Sequence, residues 1–145
     1  MNDTQTRVLL YVSHPVLAEV TAFRLHLLGL APIIANSGSM LFAKLDEALP
    51  DVVIVDLDVD TGSGLQIIEQ LSSNEVTSLI PILCMSAEGD LSTAEKAFAA
   101  GAREFLVVPY DPVTLEEKII RLVARAANER ALRHQSQKQK LVPLR

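Results

Sequence analysis

Tryptophan is absent from this 145-residue chain, cysteine occurs once, and aromatic residues make up only 4% of it. Hydrophobic residues nevertheless account for 49%, so one domain of ordinary size can bury a core, and that core must be mostly aliphatic. A single cysteine excludes an internal disulfide. Cys84 lies in an apolar run and is expected to be a buried thiol in a reducing compartment. No apolar run approaches the ~20 residues that cross a bilayer. The polar start, Met1 to Arg7, carries no signal-peptide core, so a soluble cytoplasmic protein is expected. No internal repeat and no low-complexity segment is present. The net charge of −5 conceals an asymmetry: up to Ile120 there are 6 basic and 17 acidic residues, and from Arg121 onward 7 basic and 1 acidic. An acidic body therefore carries a basic tail. That tail lacks interleaved aromatics and any DNA-binding motif, so nucleic acid is not an expected partner.

What is present is an alternation of short β-type runs with helical stripes. Val8 to Val12 reads as a first strand, with Ser13 or His14 capping a helix that opens at Pro15. Val16, Val20, Phe23 and Leu27 recur at i, i+4, i+7 and i+11 and are expected to face the core. Gly29 ends that helix. Pro32 to Ala35 reads as a strand near a sheet edge because of its proline. Asn36 to Ser39 is a turn, and Leu41, Leu45 and Ala48 mark a second helix. Val52 to Val55, apolar and mostly β-branched, is a strand buried on both faces, from whose carboxyl end Asp56 emerges. Asp60 to Gly64 is a loop without the lysine or spacing of a Walker phosphate cradle. Leu65, Ile68 and Leu71 form a third helix. Ile80 to Met85 is a strand ending at Ser86. Ala94, Ala97 and Phe98 lie on a fourth helix, closed by Gly101. Glu104 to Val108 is the fifth strand, and Leu115, Ile119, Leu122 and Ala126 begin the last helix. Five β-α units predict a parallel sheet with right-handed crossovers and helices on both faces. The ends of the first, third and fifth strands, at Val12/Ser13, Asp56 and Val108, should then meet at one sheet edge, where open α/β sheets bind ligands.

In this register the chain resembles the receiver domain of two-component response regulators, over about Arg7 to Ala127. Asp56 stands at the phosphoacceptor position. Gly64 follows it by eight residues, the Ser86-Ala87 step by 30, and the Val108-Pro109 step by 52. Gly101-Ala102 leads to Phe105 at the switch-aromatic position, and Ser86 is the switch hydroxyl. The resemblance implies a flavodoxin-like, CheY-like α/β fold: a five-stranded parallel sheet of order 2-1-3-4-5. It also implies a cis peptide before Pro109, and a protein-binding face of fourth helix, fifth strand and fifth helix, about Ser92 to Val123.

The departures bear on chemistry. Positions that hold two Mg²⁺-binding acids in the family are Val12 and Ser13, and its lysine is Val108. Asp60 replaces a proline. Phosphoryl transfer to a carboxylate depends on charge neutralisation, and these replacements remove several kcal/mol of it, ~10³-fold or more in rate. The expectation is an atypical pseudo-receiver in phosphorelay signalling that acts by protein–protein contact. It would have no enzymatic activity of its own, no cofactor, and weak or no phosphorylation. The first alternative is a working receiver phosphorylated on Asp56 by a histidine kinase, with Asp58 or Asp60 compensating for the lost acids and holding Mg²⁺ weakly with Asp56. The second is a small-ligand binder using the emptied pocket. His14, near the site, is expected to be solvated or to bond locally rather than to bind metal. The expected organisation is a disordered 1–6, a receiver-like domain at 7–127, and a basic helical extension at 128–145. The partners expected are a histidine kinase, an effector or a second copy through the last helix.

Overall fold

Residues on adjacent strand positions point to opposite sheet faces, and here both sets are aliphatic, as a sheet covered on both sides requires. The computed structural model describes residues 5–59 and 63–141, with side chains to 132 except at 130. Its elements are β1 (Arg7–Tyr11), α1 (Pro15–Leu27), β2 (Ala31–Ala35), α2 (Gly38–Glu47), β3 (Val52–Asp56), α3 (Gly64–Ser73), β4 (Ile82–Ser86), α4 (Leu91–Ala100), β5 (Glu104–Val107) and α5 (Pro112–Leu141). All pairings are parallel, in the order β2-β1-β3-β4-β5. The expected sheet order and the edge position of the proline-bearing strand are both observed.

Leu9, Val53, Val55 and Cys84 meet α2, α3 and α4 on one face. Val8, Leu10, Val12, Ile54 and Met85 meet α1 and α5 on the other. On α5, Leu115, Ile119, Leu122 and Ala126 are buried as their spacing predicts. The helix is also tied to the β5 side of the sheet. Lys118 and Arg121 both reach Glu104 at 3.2 Å, and Arg103 reaches Glu129 at 3.2 Å.

Two sequence expectations are corrected, the face α1 turns to the sheet and the end of α2. The stripe Val16, Val20, Phe23, Leu27 does not face the core: these side chains are 63, 47, 60 and 62% exposed. Helix α1 is apolar on two faces, and periodicity cannot choose between them. The sheet takes the face carrying Ala18, Thr21 and Leu25, whose two small side chains permit close approach. The Thr21 hydroxyl pairs there with the Tyr110 hydroxyl at 2.8 Å, which satisfies a buried polar group. On α4 only Ala97 is buried and Phe98 is half exposed. Ala48 lies beyond α2, as an extended C-cap residue. Among the described residues no helix is long and apolar enough to cross a membrane. Met1 to Thr4, Asp60 to Gly62 and Val142 to Arg145 lie outside the described residues.

Candidate functional site

The carboxyl ends of the strands bring the candidate residues together. Tyr11 pairs with Val55, Asp56 with Met85, and Ser86 with Val107. Val12 follows β1 directly, so Val12, Asp56, Ser86 and Val108 sit at one edge, as expected.

Asp56 is buried, and its Oδ1 accepts the Asp58 N–H at 2.9 Å. Burial pushes the Asp56 carboxyl above the usual carboxylate range. The Asp58 N–H draws it back, the Asp58 charge raises it further, and the charge on His14 lowers it. Asp58 is exposed, but its Oδ2 accepts the Ala87 N–H at 3.0 Å and so bridges the ends of β3 and β4. Ser86 is buried, and its Oγ accepts the Glu88 N–H at 3.0 Å, so the hydroxyl shapes the β4–α4 turn. Asp60 lies outside the described residues.

Val12 is wholly buried in the aliphatic cluster beneath α1 and α5, and Val108 packs against that cluster. Ser13 is partly exposed. The Val108–Pro109 peptide is cis, and the Val108 N–H donates to the Ser86 carbonyl at 2.9 Å. Phe105 is partly buried against the core on the α2–α4 face. Cys84, buried and unpaired, has its thiol pushed up to about 12 by desolvation and by the charges of Asp56 and Asp58. That keeps it protonated and unreactive.

His14 contributes more than the sequence suggests. Its Nδ1 accepts the Leu17 N–H at 3.3 Å and caps α1, the local role expected of it, yet it also lies near enough to act electrostatically on Asp56. The Ser13-His14-Pro15 cap was the available signal. Among the described residues the donor set for Mg²⁺ is sparse. Asp56 and Asp58 supply two carboxylates, one oxygen of each already accepts a backbone N–H, and the side chains of Val12 and Val108 offer no oxygen. Among the described residues no group of three or more His, Cys, Asp or Glu could hold a metal ion. A cleft of about 260 Å³ between Leu49–Asp51, Val76, Leu79–Pro81 and Glu129 lies at the opposite end of the sheet and includes none of these residues.

The raised Asp56 carboxyl has a consequence for stability. Unfolded, Asp56 titrates near its ordinary 3.8; folded, it titrates higher. Its charge therefore costs stability that is absent below the unfolded value, grows as pH rises, and is complete above the folded value. Asp56→Asn keeps an oxygen for the Asp58 N–H and removes the charge. It should stabilise the protein at pH 7, seen as a rise in Tm. Denaturation curves should show that gain shrinking toward zero near pH ~3; a gain independent of pH would contradict the assignment.

Comparison with known proteins gives a consistent match. A family model described as the response regulator receiver domain matches residues 8–120. The phosphate regulon transcriptional regulatory protein PhoB of Escherichia coli is 26% identical over 119 residues, 82% of this chain and 52% of PhoB. The transcriptional regulatory protein TrcR of Mycobacterium tuberculosis is 28% identical over 116 residues, 80% of this chain and 43% of TrcR. The chain thus spans about half the length of the curated relatives it matches. Among solved structures, a protein assigned as a response regulator from Chloroflexus aurantiacus superposes with a TM-score of 0.78 at 26% identity, covering 83% of this chain and 98% of that one. The Vibrio cholerae chemotaxis protein CheY4 superposes with a TM-score of 0.75 at 24% identity, covering 81% and 98%.

Proposed function

The chain belongs to the response regulator receiver domain family, and on that premise we propose that it is a pseudo-receiver. It keeps the flavodoxin-like signalling fold and transmits through protein contacts, with weak or no phosphorylation of Asp56. The observation that carries this reading is that Val12 lies within the aliphatic cluster and Val108 packs against it. A phosphoryl group arriving on Asp56 would need a cation and an ammonium at those places, and apolar side chains there leave its charge uncompensated. Asp58 adds to the obstacle. Its carboxylate already occupies the Ala87 N–H beside the Ser86 hydroxyl, so an anion directed there meets a like charge and must displace a charge-assisted bond.

The face for protein partners is the one about Ser92 to Val123. Phe98, Val107, Val113 and Ile120 on α4, β5 and α5 all stand exposed, and apolar groups left to solvent in this way suit a protein interface. A histidine kinase or a downstream effector is the class of partner proposed there. The domain proper would be 7–127, with the continuation of α5 a basic stalk. With Mg²⁺ and acetyl phosphate in excess, the full chain should gain no phosphoryl mass over hours, and its amide spectrum should not shift on adding beryllofluoride. A metal-dependent shift around Asp56, abolished by Asp56→Asn, would establish instead a working receiver.

A further inference from the structure

The exposed stripe of α1 has the spacing of a coiled-coil seam. Val16 to Val20 is four residues, Val20 to Phe23 three, and Phe23 to Leu27 four. These are the d, a, d and a positions of successive heptads. The stripe lies opposite the buried face of Ala18, Thr21 and Leu25, and all four side chains are about half exposed or more. Hydration of so continuous an apolar strip is unfavourable, and a second helix laid along it would relieve that.

The flanking charges say which helix. In the same heptad Glu19 falls at g and Arg24 at the e position that follows it. Two parallel copies of α1 therefore place Glu19 of each beside Arg24 of the other, a g–e′ pair repeated by the two-fold axis. An antiparallel pairing would instead set g against g′ and e against e′, with no such match. Neither Glu19 nor Arg24 has an ion-pair partner among the described residues, so both are available.

We propose that α1 is a self-association surface: two copies of this chain pair through parallel α1 helices along Val16, Val20, Phe23 and Leu27. This is a different surface from α5 and from the α4–β5–α5 face. Because α1 begins at the sheet edge that carries Asp56, the arrangement puts both Asp56 sites on the same side of the dimer. A 13-residue helix is ~20 Å long and covers less than the ~800 Å² per partner of a standard interface. The dimer is accordingly weak, with Kd of order 0.1 mM.

Sedimentation equilibrium of the full chain from ~10 µM to ~1 mM tests this. A monomer–dimer equilibrium is expected. Phe23→Ser, at an exposed position that leaves the fold intact by circular dichroism, should weaken it ~10-fold or more. E19R sets like charges against each other at both edges and should weaken it ~5–20-fold; E19R/R24E reverses both partners and should restore it. A chain monomeric at ~1 mM overturns the proposal. So does a dimer indifferent to Phe23→Ser, which would place the contact elsewhere, on α5 for example. Failure of E19R/R24E to recover what E19R loses overturns the parallel second-copy register.

Discussion

If the chain is a pseudo-receiver, placing charge at three positions, as V12D/S13D/V108K, should yield a variant that acquires a phosphoryl group from acetyl phosphate in the presence of Mg²⁺ far faster than the unaltered chain. The gain in rate should be at least ~10³-fold. The bond formed is between phosphorus and an Asp56 carboxylate oxygen, and acetate leaves. Two anions must approach, so nearly all of the catalysis available to the protein is neutralisation of charge. Two carboxylates beside Asp56 supply the oxygen ligands that Mg²⁺ demands, and an ammonium at position 108 neutralises a second phosphoryl oxygen. The substitutions also have a cost. Val12 is wholly buried among aliphatic side chains, and an aspartate there should lower stability by ~1–3 kcal/mol before metal binds. Circular dichroism must therefore accompany the assay, and S13D/V108K, which spares Val12, should still show a smaller metal-dependent gain. Intact mass gives the result, with Asp56→Asn in the triple variant as the control. A wild-type chain labelled as fast as the triple variant would end the pseudo-receiver reading.

The sheet was legible because a strand buried on both faces leaves a plain mark. Val52 to Val55 is apolar without a break, and five such runs between helical stripes permit few topologies. The meeting of Val12, Asp56 and Val108 followed from a parallel sheet alone, since parallel strands bring like ends to one edge. Helix α1 was misread for an equally physical reason. It is apolar on two faces, and the larger side chains, Val16, Val20, Phe23 and Leu27, suggested the core side. Contact with the sheet rewarded the smaller residues instead, Ala18 and Thr21, and the Thr21 hydroxyl depends on Tyr110, 89 residues away in sequence. No local pattern can announce such a partner. The bond between Asp58 and the Ala87 N–H spans 29 residues and was hidden in the same way. Asp58 could be read as a spare carboxylate for a metal, but not as one already held by the end of β4.

Gly64 is the remaining residue whose spacing was legible and whose reason was not. A methyl group built at Gly64 would stand 2.6 Å from the Asp56 carbonyl oxygen and 2.6 Å from the Leu57 Cα. Both are backbone atoms, so no side-chain rotation can relieve the contact. The first turn of α3 is thus pressed against the strand end that presents Asp56, and only glycine permits the approach. Gly64→Ala should cost ~2–4 kcal/mol, since overpacking against a fixed backbone must be relieved by moving α3 or the end of β3. Gly29→Ala supplies the contrast. Nothing lies within 4 Å of a methyl group there, and only the backbone angle of φ +84° resists it, so the loss should be ~1 kcal/mol. Urea denaturation measures both. Because the Gly64 clash falls on the carbonyl of Asp56 itself, Gly64→Ala should also shift the amide resonances of Leu57 and Asp58, which Gly29→Ala should leave in place. If Gly64→Ala costs no more than Gly29→Ala and those amides stay where they are, the glycine does not hold the site.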